Sequence, residues 1–233
     1  IFVSFYFTDT LDRFNALIHG ALSNDIVENI HLAIDRLGTQ KISPQLYQFA
    51  CNQQSIHCLI FLLSHPAYTQ DMLKVIGSDL VAFRDYNGLS LLHLALDCHP
   101  SPSMDVSQDH YLQAIVKSLK LPVDIVSDEI DEFSDGGTAL HMAAQKGNVL
   151  CVKTLIDLGA SLLSQENYFS QTPAHLAAQY NNTQCLCEIL DAANKQNVKK
   201  SLLTVENSYQ EDVQSIATDQ FSSEDYSKID WTI

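Results

Sequence analysis

The chain has 233 residues and a formal net charge of −15, from 28 acidic and 13 basic side chains. This excess of acid argues against binding to nucleic acid or to an anionic membrane, because both repel a negative surface. Apolar residues make up 46% of the sequence, which is ample for the buried core of one or two domains.

The ends of the chain and its cysteines bear on where the protein resides. Residues 1–7 are apolar and strand-like, but they are too short to span a membrane and lack the basic start of a signal peptide. Because the first residue is Ile1 rather than Met, we expect a piece of a longer protein. Six cysteines are scattered without a CxxC pair, which favours a reduced, cytoplasmic setting.

Residues 1–80 predict a series of short helices. Apolar residues recur at three- and four-residue spacing across residues 11–37 and across 55–64. A further helix begins at Pro44, where serine precedes proline, and another short helix is expected over residues 69–77. These helices form either degenerate repeat units or a separate N-terminal helical cap.

Two irregular segments follow. A proline- and serine-containing insertion spans residues 100–108 and precedes an apolar helix over 111–119. Residues 124–135 then hold six acids and no base, which predicts an acidic finger: either a solvated loop or a negative patch that steers a basic partner. The central acids of this finger are Asp128, Glu129, Asp131 and Glu132.

The most specific pattern is an internal repeat. Residues 138–144, TALHMAA, return as residues 172–178, TPAHLAA, which is a period of 34 residues. A fixed period of this size indicates a stacked repeat protein. Each copy reads as a turn and two short helices; Thr172 is predicted to cap the first helix, and Gly147 to end the equivalent helix in the preceding copy.

Residues 135–141, DGGTALH, resemble the ankyrin-repeat motif D-G-x-T-P-L-H-x-A-A-x-x-G, and residues 158–160, LGA, resemble its end. Residues 87–95 form a third copy, although His93 to His141 is 48 residues, 14 more than the period. Residues 207–217 align with 167–177 but lack the glycine, threonine and histidine of the motif, as suits a polar terminal unit.

The resemblance implies an all-α ankyrin-repeat solenoid of helix-turn-helix units joined by finger-like turns, with degenerate outer units. We place repeats at about 85–124, 133–166 and 167–200, and a degenerate C-terminal cap at 207–233. Residues 191–206 are expected to be linker-like. Trp231, near the end of the chain, is expected to hold the tail against the last helix pair.

Histidine and cysteine are the residue types in this sequence that are most suited to catalysis or metal binding. His93, His141 and His175 share one repeat position, but stacked helices lie about 8–10 Å apart, whereas zinc ligands lie about 2 Å from the metal. The resemblance implies instead that these histidines link successive turns. The spacing of Cys51 and His57 does not place both side chains on one helix face, so we predict no catalytic residue. We also predict that the chain holds no metal and no cofactor.

The resemblance also implies a protein-binding function, through the concave face and the finger tips. Aromatic residues at the tips are typical of interface hot spots, and five inner-helix positions match those that vary between ankyrin units. The predicted contact residues are Tyr86, Asn87, Tyr168, Phe169 and Tyr209 at the tips, and Asp97, Gln145, Lys146, Gln179 and Tyr180 on the inner helices.

Several settings remain open for this function. One setting is a monomeric cytoplasmic scaffold or regulator that binds a protein partner, with a basic partner as one option. Another is an ankyrin-bearing effector that a bacterium delivers into a host cell. A catalytic domain outside this chain, with the solenoid as its recognition part, is a third alternative. An acidic inhibitor of transcription factors is a fourth, and it requires a basic partner.

Overall fold

The computed structural model describes residues 10–38, 40–85, 87–96, 108–120, 123–124, 136–166 and 168–232. The helices within these residues are α1 Thr10–Ser23, α2 Val27–Leu37, α3 Pro44–Asn52, α4 Ile56–Ser64, α5 Pro66–Ala82, α6 Leu91–Leu94, α7 Gln108–Leu119, α8 Ala139–Lys146, α9 Val149–Asp157, α10 Pro173–Gln179, α11 Thr183–Lys195, α12 Lys199–Thr204, α13 Val213–Gln220 and α14 Ser223–Ser227. None of them is long and apolar enough to cross a membrane. The fold is all-α, as predicted.

The chain divides into two compact units. The first comprises residues 1–83 and 98–121, and the second comprises 84–97 and 122–233. The predicted repeat over 85–124 is therefore divided, because α6 belongs to the second unit whereas α7 packs against α4 and α5 in the first.

The first unit has a core of apolar helix faces. Phe14, Ile18 and Leu22 recur every four residues along α1 and are fully buried. Helix α4 is buried almost all round, from Cys58 to Leu63, because it packs against α2, α3, α5 and α7. An apolar face with this period is sufficient to place each helix in the core.

Two boundaries in the first unit differ from the predicted ones. The helical pattern over residues 11–37 is broken between α1 and α2, where Asp25 takes a positive φ of 50°. The helix expected over 69–77 begins earlier, because α5 starts at Pro66. Its helical geometry breaks at the buried Ile76 (φ −128°, ψ 18°), next to the predicted end at Gly77, and a second helical segment then continues to Ala82.

The second unit stacks inner helices on inner helices and outer helices on outer helices. Helix α10 packs between α8 and α13, and α11 packs on α9. The alanine pairs of α8 and α10 are fully buried, so the two helices approach each other closely. This arrangement aligns the turns that precede the inner helices.

The end of α8 requires glycine. Gly147 has a φ of +72°, and a Cβ there would lie 2.6 Å from the side-chain oxygen of Asn182. The amide of Asn182 donates to the carbonyls of Ala144 and Gln145, both at 2.8 Å. A side chain of the next repeat therefore caps the exposed carbonyls of α8.

The linker-like reading of residues 191–206 is wrong. Helix α11 extends to Lys195, and α12 then occupies Lys199–Thr204. The lysines gave this stretch a polar appearance, but Lys199 is 6% exposed. Its ammonium lies 3.1 Å from a carboxylate oxygen of Asp230, so the C-terminal tail covers it. Trp231 stacks on Tyr226 of α14, with ring centroids 5.2 Å apart.

Several sequence predictions lie outside the described residues. They include Tyr86, Asp97, most of the insertion over 100–108, and the four central acids of the acidic finger. Asp124, at the start of that finger, is described and accepts a hydrogen bond from the amide of Ser161 at 2.8 Å.

Candidate functional site

Three finger turns of the second unit share one backbone geometry. In each, the first residue donates its amide N–H to the carbonyl of the last: Asp85 to Leu89 at 3.1 Å, Glu166 to Gln171 at 2.9 Å and Asn207 to Glu211 at 3.0 Å. The residue before the last has a positive φ in all three: Gly88, Ser170 and Gln210. The residues at the equivalent tip position are therefore Asn87, Phe169 and Tyr209.

One oxygen-bearing side chain holds each finger. The carboxylate of Glu166, which is 2% exposed, accepts the amides of Tyr168, Phe169 and Gln171 at 2.7–2.9 Å. Asp85 and Asn207 do the same in their own fingers: Asp85 accepts from Asn87 and Leu89, and Asn207 accepts from Tyr209 and Glu211. The tips are thus presented on backbones with restrained conformations.

The role of Glu166 in holding its finger was not predicted from the sequence. The available signal was the oxygen-bearing residue that begins each neighbouring finger, Asp85 and Asn207, although Glu166 lies one residue earlier in the repeat because its finger is one residue longer. All three side chains accept hydrogen bonds, so the position requires an acceptor rather than one residue type.

The repeat histidines connect each inner helix to the following finger. His141 donates from Nε2 to the carbonyl of Gln171 at 3.1 Å, and its Nδ1 accepts the amide of Thr138 at 3.0 Å. His93 and His175 repeat the contact, to the carbonyls of Gly137 and Glu211 at 3.1 and 3.3 Å. The predicted turn-linking role of the three histidines is confirmed by this geometry.

Burial keeps these imidazoles neutral. It lowers the pKa of His93 and of His141 to about 4, although hydrogen bonds to backbone carbonyls act in the opposite direction. Burial likewise lowers the pKa of His175. A neutral ring with Nε2–H is the form that donates to the finger while Nδ1 accepts, so the histidines are structural at neutral pH.

Three aromatic side chains meet at the tips of two successive fingers. The rings of Tyr168 and Phe169 pack edge to face with centroids 4.7 Å apart, and Phe169 stacks on Tyr209 at 5.6 Å. The amide of Ser208 donates to the carbonyl of Phe169 at 2.8 Å and joins the two turns. Tyr168 and Tyr209 are 59% and 63% exposed. We call these three residues the aromatic cluster.

The structure describes four of the predicted inner-helix residues: Gln145, Lys146, Gln179 and Tyr180. Gln145 donates to the hydroxyl of Tyr180 at 2.9 Å, and Tyr180 is 50% exposed. Gln179 accepts from Gln171 at 2.8 Å, which ties the end of α10 to a finger. Lys146 lies exposed at the end of α8.

The environments of Cys51 and Cys58 do not favour a nucleophilic thiolate. Burial raises the pKa of Cys58 and of Cys51 above the ordinary value, so both stay protonated at neutral pH. His57 contacts Asp25 at 2.7 Å. Burial alone would raise the pKa of Asp25, but hydrogen bonds from His57 and the amide of Cys58 outweigh it and lower that pKa. These contacts hold the start of α4 against the turn after α1.

The described residues contain no group of three histidine, cysteine or acidic side chains placed to hold a metal ion. Five cysteines fall within them, and all five are free.

Comparison with known proteins agrees with this geometry. A family profile described as ankyrin repeats (3 copies) matches residues 103–200. The fold resembles the crystal structure of the ankyrin-repeat domain of Bcl-3, a member of the IkappaB protein family, with a TM-score of 0.56 and 13% identity over 91% of this chain and 96% of that one. The fold is therefore that of an ankyrin-repeat solenoid, and residues 103–200 match the ankyrin-repeat family.

Curated relatives match over short segments. A putative E3 ubiquitin-protein ligase, XBAT31 of Arabidopsis thaliana, is 38% identical over 61 residues, or 26% of this chain and 13% of the ligase. Alpha-latrotoxin-Lt1a of Latrodectus tredecimguttatus is 50% identical over 44 residues, or 19% of this chain and 3% of the toxin. The chain thus spans a small part of the length of these relatives.

Proposed function

We propose that the second unit binds a protein partner through the aromatic cluster, Tyr168, Phe169 and Tyr209, together with the exposed side chains of the inner helices. Ankyrin repeats indicate a protein–protein interaction module, and the exposed aromatic cluster is the observation that supports this edge as the site of interaction. Aromatic residues at the centre of a contact contribute most of the binding energy in many interfaces.

The exposure of the cluster supports this assignment. Two of its three rings are more than half exposed although each could contribute to a core. The backbones beneath them are held by Glu166 and Asn207, so little conformational entropy is lost when a partner docks. A restrained, exposed aromatic surface is suited to recognition.

The net charge and the cysteines bear on the kind of partner and on the setting of the protein. A net charge of −15 favours a basic partner. Free thiols at the five described cysteines suit a reducing compartment, so we place the protein in the cytoplasm, as a monomeric scaffold or regulator. Binding without catalysis fits the raised thiol pKa values and the structural use of the histidines.

Site-specific crosslinking tests the proposal. A photoreactive phenylalanine analogue replaces Tyr168 in one variant and Leu150 in the other, because Leu150 is also exposed, at 48%, but lies on the outer helix α9. We expect a discrete protein adduct from the variant at 168 and none from the variant at 150. Equal yields from both positions, or an adduct at 150 alone, would place the interface elsewhere.

A further inference from the structure

We infer that the aromatic cluster receives an arginine side chain of the partner, an inference that rests on the proposed function and specifies its chemistry. Tyr168 and Tyr209 expose most of their surface, and Phe169 lies between them, half-buried. The face of an aromatic ring is electron-rich and attracts a cation placed over it. The ligand that complements this surface is therefore a cation.

The electrostatic surroundings of the cluster favour the same charge. The sequence contains no lysine or arginine between Lys153 and Lys195, nor between Lys200 and Lys228. The finger of Tyr209 carries the exposed acids Glu206 and Glu211 instead. A cation at this edge therefore meets no lysine or arginine from either finger.

Glu206 lies beside both fingers. The side-chain amide of Gln165 donates to the carbonyl of Ser170 at 2.6 Å and to the carbonyl of Glu206 at 3.4 Å. This bond places Glu206 against the finger that carries Tyr168. The backbone of Glu206 is thus next to the finger that carries Tyr168, and its exposed carboxylate is the acidic group that we assign to the same ligand.

The geometry distinguishes arginine from other cations. The three rings pack directly on one another, through one edge-to-face contact and one stacked contact, so they do not enclose a central space. A quaternary ammonium requires rings on several sides, whereas a planar guanidinium stacks on a single open face. The guanidinium also donates two parallel hydrogen bonds to a carboxylate such as Glu206, which the ammonium of lysine does not match.

Three synthetic peptides of equal length test this inference on the intact chain. They differ only at their cationic positions, which hold arginine, lysine or citrulline, the uncharged analogue of arginine. We expect the arginine peptide to bind about fivefold more tightly than the lysine peptide in calorimetric titration at low salt. The citrulline peptide should show no binding at about 1 mM.

Variants assign the binding to the cluster. Tyr209→Ala should weaken the arginine peptide by about fivefold, whereas Tyr209→Phe, which keeps the ring, should change its affinity by less than about twofold. Glu206→Gln should weaken it by about twofold or more. The control Leu150→Ala alters an exposed apolar residue on α9 and should have no effect.

Three results would overturn the inference: equal affinity for the arginine and lysine peptides, no binding of either at about 1 mM, or unchanged affinity of the Tyr209→Ala variant. If one of these occurs while crosslinking at position 168 still yields its adduct, the protein-binding function stands and the arginine ligand is wrong. If the adduct is also absent, both fall together.

Discussion

At the residue scale, the histidine of each repeat contributes most when it is neutral. Nδ1 of His141 accepts hydrogen bonds from Thr138 while Nε2 donates to the next finger, so a second proton would break the first of these contacts. The same geometry recurs at His175 with Thr172. The stability of the second unit should therefore depend on pH through these side chains.

The sign of that dependence follows from the pKa of His141, which falls from its ordinary value of 6.5 to about 4 in the folded chain. Below pH 6.5 the unfolded chain binds more protons than the folded one, so stability is lost as the pH falls from about 6.5 towards 4. A tenfold difference in proton affinity between the folded and unfolded chain corresponds to about 1.4 kcal/mol of unfolding free energy. Urea denaturation at a series of pH values measures this loss.

A pair of variants isolates the contribution of His141. His141→Gln should lower the free energy of unfolding at pH 7 and also flatten its dependence on pH. The control His110→Gln changes an exposed histidine on α7 and should leave the dependence intact. If His141→Gln retains the full slope below pH 6.5, the buried histidine is not its source.

At the element scale, the short helix α12 depends on the tail that covers it. The ammonium of Lys199 is nearly buried and lies 3.1 Å from the carboxylate of the exposed Asp230. Removing one member of such a pair leaves the other without compensation, whereas replacing the buried charge by an apolar side chain is often tolerated.

Variants of this pair should not behave additively. Asp230→Asn should lower the urea midpoint, because Lys199 then keeps its charge in a buried position. Adding Lys199→Met to Asp230→Asn should restore most of that loss. The pair makes no such contribution if the double variant is less stable than Asp230→Asn alone.

The helix pairs of the second unit were predictable because their signals are local. Threonine before the helix, histidine three residues later and a glycine end all lie within ten residues of each other at 138–147. Helix α12 was not predictable in this way, since Lys199 is buried by a residue 31 positions further along the chain. The exact composition of the aromatic cluster also depends on the stacking of successive fingers.

Lengths of helices were predicted less well than their existence. Gly77 was expected to end a helix, and the helical geometry does break at its neighbour Ile76. A second helical segment follows the break and carries α5 to Ala82, with Leu80 buried in the core.

At the scale of the whole molecule, charge governs how a partner approaches. With a net charge of −15, association with a basic partner should slow as ionic strength rises, because salt screens the attraction. Replacing the central acids of the acidic finger, Asp128, Glu129, Asp131 and Glu132, by their amides should also slow association while leaving dissociation almost unchanged. Stopped-flow measurements separate the two rates; an association rate independent of salt would make the finger a solvated loop.

The central claim is that the aromatic cluster serves binding rather than folding. The most direct test measures two quantities on Tyr168→Ala and Tyr209→Ala: the free energy of unfolding in urea, and the affinity for the partner identified by crosslinking. We expect unfolding to change by less than about 0.5 kcal/mol, and affinity to fall about thirtyfold, or about 2 kcal/mol, in at least one variant. Normal affinity in both variants, accompanied by a loss of stability above about 1 kcal/mol, would contradict the claim.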